Sequence, residues 1–307
     1  MRVLALMAVV AACSSRAGAQ TAWLLAPPAE ARRTGVFANR HLDESSGVAA
    51  SRRYPGVLWS HEDSGGDPLL FATDTSGADR GTFNVRGAAN VDWEDVALGP
   101  CDSSTCVYLA DTGDNRERRK SASVWRVPEP DAAAARPGHA ADTAPAERVE
   151  FRYPGGARDV EAMWVDPSGD VHLVAKGRHG PAVHYRLPAA LWSARDGKRP
   201  AVADSLGVLP IAVERGVRRL VTGAALSPDG RRVVVRTYGE AYFFARRADG
   251  SLALPPRPLA CDLAGLEPQG EGVAWLDDTR LVLTSERGMV RTGTVTVVRC
   301  ALPPLTS

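Results

Sequence analysis

The chain has 307 residues, 44% hydrophobic and 24% charged, a composition that suits a globular protein able to bury a core. Its 37 Lys and Arg nearly balance its 36 Asp and Glu, which argues against an electrostatic nucleic-acid binder. Arginine pairs such as Arg52-Arg53 and Arg218-Arg219 are scattered and read as solvated turns.

The N-terminus reads as an export signal. Residues 1–19 combine a basic residue, a short apolar run over 3–12 and the small residues Ala17-Gly18-Ala19. That run is too short to span a membrane, and cleavage is expected after Ala19. The tetrapeptide "VAAC" ending at Cys13 also resembles a bacterial lipobox, which would leave Cys13 lipidated at the mature end. Membrane attachment is expected only through that route, and the location is periplasmic or extracellular.

Past Cys13, four cysteines remain: Cys101, Cys106, Cys261 and Cys300. An even number in an exported chain suggests two bridges, with three possible connectivities. The turn "CDSSTC" makes Cys101–Cys106 the easy pair, and Cys261–Cys300 follows. No Cys/His spacing suggests zinc.

Residues 20–307 carry an internal repeat. Its first runs are "ESSGVAAS" (44–51), "DWEDVALG" (92–99), "DVEAMWVD" (159–166), "VTGAALSP" (221–228) and "QGEGVAWL" (269–276). Each precedes a turn and a second apolar run, such as "DVHLVAKG" (170–177) or "RVVVRTYG" (232–239). A third run follows, as in "AVHYRL" (182–187), and then a weaker fourth: "GTFNVR" (81–86), "RVEFRY" (148–153) or "VLPIAV" (208–213). Four short strands per unit, in five units, predict an all-β fold, a β-propeller of five blades in one domain. The weak fourth strands leave six blades open. Residues 33–39 are expected to supply the outer strand of the last blade, and the Ala/Pro-rich segment 128–146 to form a surface loop.

The first strand of each blade lines the channel, and residues two apart share a face. Asp92 with Glu94 and Asp159 with Glu161 therefore point together. Superposing the repeats puts Ser46, Glu94, Glu161, Gly223 and Glu271 in equivalent positions. Three glutamates around one axis repel unless a cation sits among them, and a hard cation with oxygen ligands, Ca²⁺ first, is the simplest remedy. Asp92, Glu94, Asp159, Glu161 and Glu271 are the candidate ligands, the alternative being a solvated channel lining. Second-strand ends add His61, Glu62 and Asp63, then Lys176, Arg236 and Tyr238, to the same mouth. A metal beside Lys176 and Arg236 suits an anionic substrate, with the cations steadying an oxyanion. Glu161, His61, Lys176, Arg236 and Tyr238 are the candidate catalytic residues. The chain has no Gly-x-Ser-x-Gly elbow, His-Glu-x-x-His or Walker loop.

"DVEAMWVDPSGDVHLVAKG", "DWEDVALGPCDSSTCVYLADTGDN" and "QGEGVAWLDDTRLVLTSE" resemble blade starts of phytase-like propellers, which include calcium-dependent phytases and esterase-like relatives. Most of residues 20–307 also looks like secreted bacterial proteins loosely labelled WD40-like. The resemblance implies Ca²⁺ on Glu94, Glu161 and Glu271, with Asp92 and Asp159 as companions, and hydrolysis of a phosphoester or related ester. No dense Lys/Arg cleft suits phytate itself. The alternatives are a non-catalytic propeller that binds an anionic small molecule or a protein at the mouth, and a lactonase using a similar Ca²⁺ site. The protein is expected to be a monomer.

Overall fold

Runs such as "RVVVRT" are too continuously apolar for strands with one wet face, and the blade stacking explains them. A computed structural model describes residues 23–102, 104–194, 199–211, 213–287 and 293–305. The expected signal segment 1–19, including Cys13, lies outside the described residues.

Five sheets, each built on four antiparallel strands, surround a channel. Blade 1 comprises Ser45–Ala50, Leu58–Glu62, Leu69–Thr73 and Gly81–Asn84, from the channel outward. Blade 2 comprises Trp93–Cys101, Ser104–Asp111, Ala122–Pro128 and Glu147–Arg152. Blade 3 comprises Val160–Val165, Val171–Ala175, Val183–Leu187 and Asp204–Val208. Blade 4 comprises Val221–Leu226, Arg232–Thr237, Glu240–Arg246 and Leu259–Asp262. Blade 5 comprises Gln269–Trp275, Leu281–Glu286 and Thr294–Arg299, and takes its outer strand, Glu30–Val36, from the N-terminal region. Neighbouring inner strands pack in order, and the fifth returns to the first. The five-bladed propeller expected from the repeat is the observed fold.

Each blade interface has its own apolar core. Val233 and Val235 face the interface of blades 3 and 4, whereas Val234 between them faces that of blades 4 and 5. A middle strand is therefore apolar on both faces, which removes the usual alternation. Trp59, Trp93, Trp164 and Trp275 are fully buried in these seams.

Two expectations about the outer strands need correction. The fourth strand of blade 3 is Asp204–Val208, not 208–213, because Leu209 and Ile211 turn inward to the core. The segment 128–146 is also more than a loop. Ala140–Asp142 pairs in parallel with Thr82–Asn84, and Ala135 and Glu129 are buried. Glu129 accepts hydrogen bonds from Ser51 Oγ (2.6 Å) and Trp59 Nε1 (2.8 Å), which anchors the segment to blade 1.

Both expected disulfides are present, Cys101–Cys106 across a hairpin and Cys261–Cys300 between blades 4 and 5. They indicate an oxidising, exported environment. No described helix is long and apolar enough to cross a membrane. Cys261 and Cys300 are 39 residues apart. Changing both to serine is expected to cost about 4 kcal/mol through loop-closure entropy. Calorimetry should show a thermal midpoint lower by about 10 °C. An unchanged midpoint would mean that packing alone holds the joint.

Candidate functional site

All five inner strands carry a register break near their start. A bulge leaves a residue unpaired and re-aims its side chain. The residues so placed are Ser46, Glu94, Glu161 and Thr222, with Glu271 and Gly272 together in blade 5. Thr222, not Gly223, is thus the fourth-blade equivalent. Gly223 sits where a Cβ would be 2.8 Å from the Glu271 carbonyl oxygen, so the neighbouring blade excludes a side chain there. Thr222 Oγ1 donates to that same carbonyl at 3.1 Å.

The bulges bring the acidic residues together. Glu94, Asp159 and Glu161 are all buried, and each offers a carboxylate oxygen within 4.8 Å of the others. Asp63, Asp92 and Glu94 form a second such group, so Glu94 belongs to both. Gly113 makes the approach possible, since a Cβ there would lie 2.0 Å from Glu94 Oε1 and 2.6 Å from Asp92 Oδ2. Asp159 Oδ1 accepts the Asp114 N–H at 2.9 Å. Asp159 Oδ2 is buried with no hydrogen-bond partner, and Arg178 Nε is 3.9 Å away. Glu271 joins from blade 5, where Gln269 Nε2 donates to its Oε1 at 3.2 Å.

The compensating charge is Lys176, whose Nζ is 2.6 Å from Glu161 Oε1. Burial opposes its charge, but its contact with Glu161 together with Tyr238 and Glu94 raises its pKa overall. Carboxyl groups here are pushed up. Burial and the nearby Glu161 hold Glu94 well above the usual carboxylate range, and burial with Glu161 and Glu286 does the same to Glu271. Burial raises Glu161 to about 7 against the pull of Lys176. Burial and Asp63 raise Asp92 to about 6, and burial, Asp63 and Glu44 raise Glu286 to about 7. These oxygens are crowded and short of positive charge, and the group could hold a metal ion.

The other candidate residues are distributed unevenly. Tyr238 belongs to the mouth: Lys176 Nζ lies 6.0 Å from its ring centroid, and burial together with Glu271 raises its pKa, so the phenol stays protonated. Arg236 is used elsewhere. Its guanidinium donates to the carbonyls of Gly272 (2.6 Å) and Thr284 (3.0 Å) and to Glu267, tying blade 4 to blade 5. His61 is also not brought to the carboxylates. It is fully buried edge-on to Trp93, its Nδ1 is 2.9 Å from the Glu62 carbonyl oxygen, and burial lowers its pKa to about 4.

Sequence reasoning placed Asp63 on the rim without making it a ligand. Its only signal was its position at the end of a second strand. Asp95 has a different role from its neighbours. Its Oδ1 accepts the Val96 N–H (2.8 Å), and its Oδ2 accepts those of Met163 (2.7 Å) and Ala224 (3.2 Å). One carboxyl thus joins blades 2, 3 and 4 beside the channel.

No family model matches the chain, and the curated proteins contain no match to it. Among solved structures it is similar to the PQQ-bound aldose sugar dehydrogenase of Streptomyces coelicolor, with TM-score 0.51 and 13% identity over 89% of this chain and 99% of that one. A glucose dehydrogenase is similar to the same degree, with TM-score 0.50 and 13% identity over 89% of this chain and 100% of that one. At this identity the likeness is one of fold: the structural neighbours are β-propeller enzymes.

Proposed function

We propose that the channel mouth is a Ca²⁺ site and that the protein is an exported, Ca²⁺-dependent hydrolase of a phosphoester or related ester, lactones included. The observation that carries this reading is the convergence of Glu94, Asp159 and Glu161, with an unpartnered oxygen on Asp159 and Lys176 as the compensating cation. Buried like charges this close need a counter-charge. The donors are all hard oxygens, which suits Ca²⁺ better than a metal preferring nitrogen or sulfur. Glu94, Asp159 and Glu161 would hold the ion, with Asp92, Asp63 and Glu271 beside them. Bound there, it would polarise an ester oxygen and lower the pKa of a coordinated water.

The protein's own groups set up the rest. Glu161 holds the Lys176 ammonium at the mouth, where it can face developing negative charge. Tyr238 keeps its proton and can donate a hydrogen bond from its phenol oxygen. Arg236 and His61 have no part in this version, since both are engaged within the fold. Losing Arg236 as an oxyanion support favours the second reading, a non-catalytic propeller that binds an anionic small molecule or a protein at the mouth. Export as a monomer, with or without a lipid on Cys13, fits either.

A panel of phosphoesters and lactones assayed with Ca²⁺ distinguishes them. Glu161→Gln is expected to lower turnover by about 10²-fold or more, in line with loss of an electrostatic catalytic contact. Clear Ca²⁺ binding with no turnover of any panel member would establish the binder instead.

A further inference from the structure

A cavity of about 600 Å³ opens over blade 2, between the loop 112–122 and the turn 152–158. Both segments lie at the mouth end, since the inner strand of blade 3 starts at Val160, directly after the second of them. Its lining is basic: Arg118, Lys120, Arg152 and Arg158 contribute, with Arg119 at the wall. Arg119 is neutralised by Asp111 at 2.9 Å. Arg118, Lys120 and Arg152 pair with no carboxylate among the described residues. Asp114 and Glu117 are the acids of the lining, and Asp114 Oδ2 already accepts the Arg119 N–H at 2.6 Å.

Tyr153 forms part of the wall, with its hydroxyl buried out of reach of the cavity. Pro154, Ala157 and Val202 add an apolar side, so the space suits an organic body better than a bare inorganic ion.

The cavity also adjoins the acidic site. A neighbouring hollow of about 450 Å³ includes Asp92 and Gly113, and it shares Asp114, Arg118 and Arg119 with the basic cavity. The loop between them is pinned in place. Glu117 adopts φ +48, which is uncommon outside glycine, while the Arg119 guanidinium donates to the Gly113 carbonyl at 2.9 Å.

We infer that the blade 2 cavity is an anion subsite that takes the phosphate- or carboxylate-bearing ring of the ligand, with Arg118, Lys120 and Arg152 on the anion. The ligand then reaches past the 113–119 loop to the carboxylate cluster. Only this last contact rests on the cation reading; the basic cavity binds its half of the ligand without a metal.

The test is calorimetric titration in low salt with chelator present, using glucose 6-phosphate, glucuronate and, as the neutral control, glucose. Saturable binding of at least one anion, with none of glucose, is the expected result. Lys120→Gln with Arg152→Gln is expected to weaken it by about tenfold or more at an unchanged unfolding temperature, both side chains being exposed. Binding of the phosphate alone or of the carboxylate alone would support the subsite and name its anion. Binding of neither, equal binding of glucose, or unchanged binding in the double variant would overturn it. Because chelator is present throughout, failure here is separate from failure of the cation site.

Discussion

Ca²⁺ added to chelator-treated protein is expected to raise its unfolding temperature, and by more at high pH than at low. Glu161 and Glu286 are raised to about 7, and Glu94 and Glu271 lie well above the usual carboxylate range. Between the unfolded carboxylate pKa and these higher values the folded chain binds more protons than the unfolded one. Its stability without metal is therefore present below about pH 5 and lost progressively toward about pH 8. A cation takes the place of those protons and removes the slope. At a hundred times its Kd a ligand contributes about 2.7 kcal/mol. In a chain of this size that corresponds to roughly 5–10 °C. A scan of thermal midpoints against pH, with and without Ca²⁺, checks both parts. Glu94→Gln with Glu161→Gln should abolish the Ca²⁺ shift and make the chelator curve shallower, Glu271 and Glu286 keeping the rest of the slope. A midpoint in chelator that rises over this range, or ignores Ca²⁺ throughout, would mean that the glutamates only line a wet channel.

Asp95→Ala is expected to be the most damaging single substitution near the channel. It strips three buried backbone N–H groups, on Val96, Met163 and Ala224, of their acceptor. At about 1–3 kcal/mol for each unmet donor the loss is about 4 kcal/mol or more, a large share of the stability of an ordinary domain. Asp95→Asn separates hydrogen bonding from packing: its amide oxygen can still serve Met163 and Ala224, leaving only Val96 facing a donor. Urea midpoints should therefore fall in the order wild type, Asn, Ala. Equal midpoints for wild type and Ala would show that water satisfies these groups. Activity in the Asn variant should survive, since Asp95 is not among the cation donors.

The repeat was legible because every blade spells the same turn of chain, from a channel-facing polar position to an apolar run. Its phase was less so. "VTGAAL" fits the pattern with either Thr222 or Gly223 at the key position, and only the bulge register decides for Thr222. The carboxylates in "DWEDVAL" looked alike in sequence. Alternation separated Asp95 from Asp92 and Glu94, yet its role depends on N–H groups from two other blades. Arg236 and His61 show the same limit. Ending a strand near the mouth does not aim a side chain into it, and the one bonds blade 5 while the other packs on Trp93. Outer strands carried the weakest pattern, because they border solvent and need fewer apolar residues. Hence 208–213 stood in for Asp204–Val208, and the pairing of Ala140–Asp142 in a Pro-rich stretch went unseen.

Blade 5 is completed by pairing Glu30–Val36 with Thr294–Arg299, segments whose ends are 269 residues apart. For a chain that leaves the ribosome from its N-terminus, this sets an order of events. The early strand has no partner until Thr294–Arg299 has been made. Closing so long a loop is also the slowest kind of contact to form. Until then the ring is open and the joint between the last and first blades is wet. The seam that seals the ring is thus also a timer: the propeller closes only after the strands of its last blade have been made.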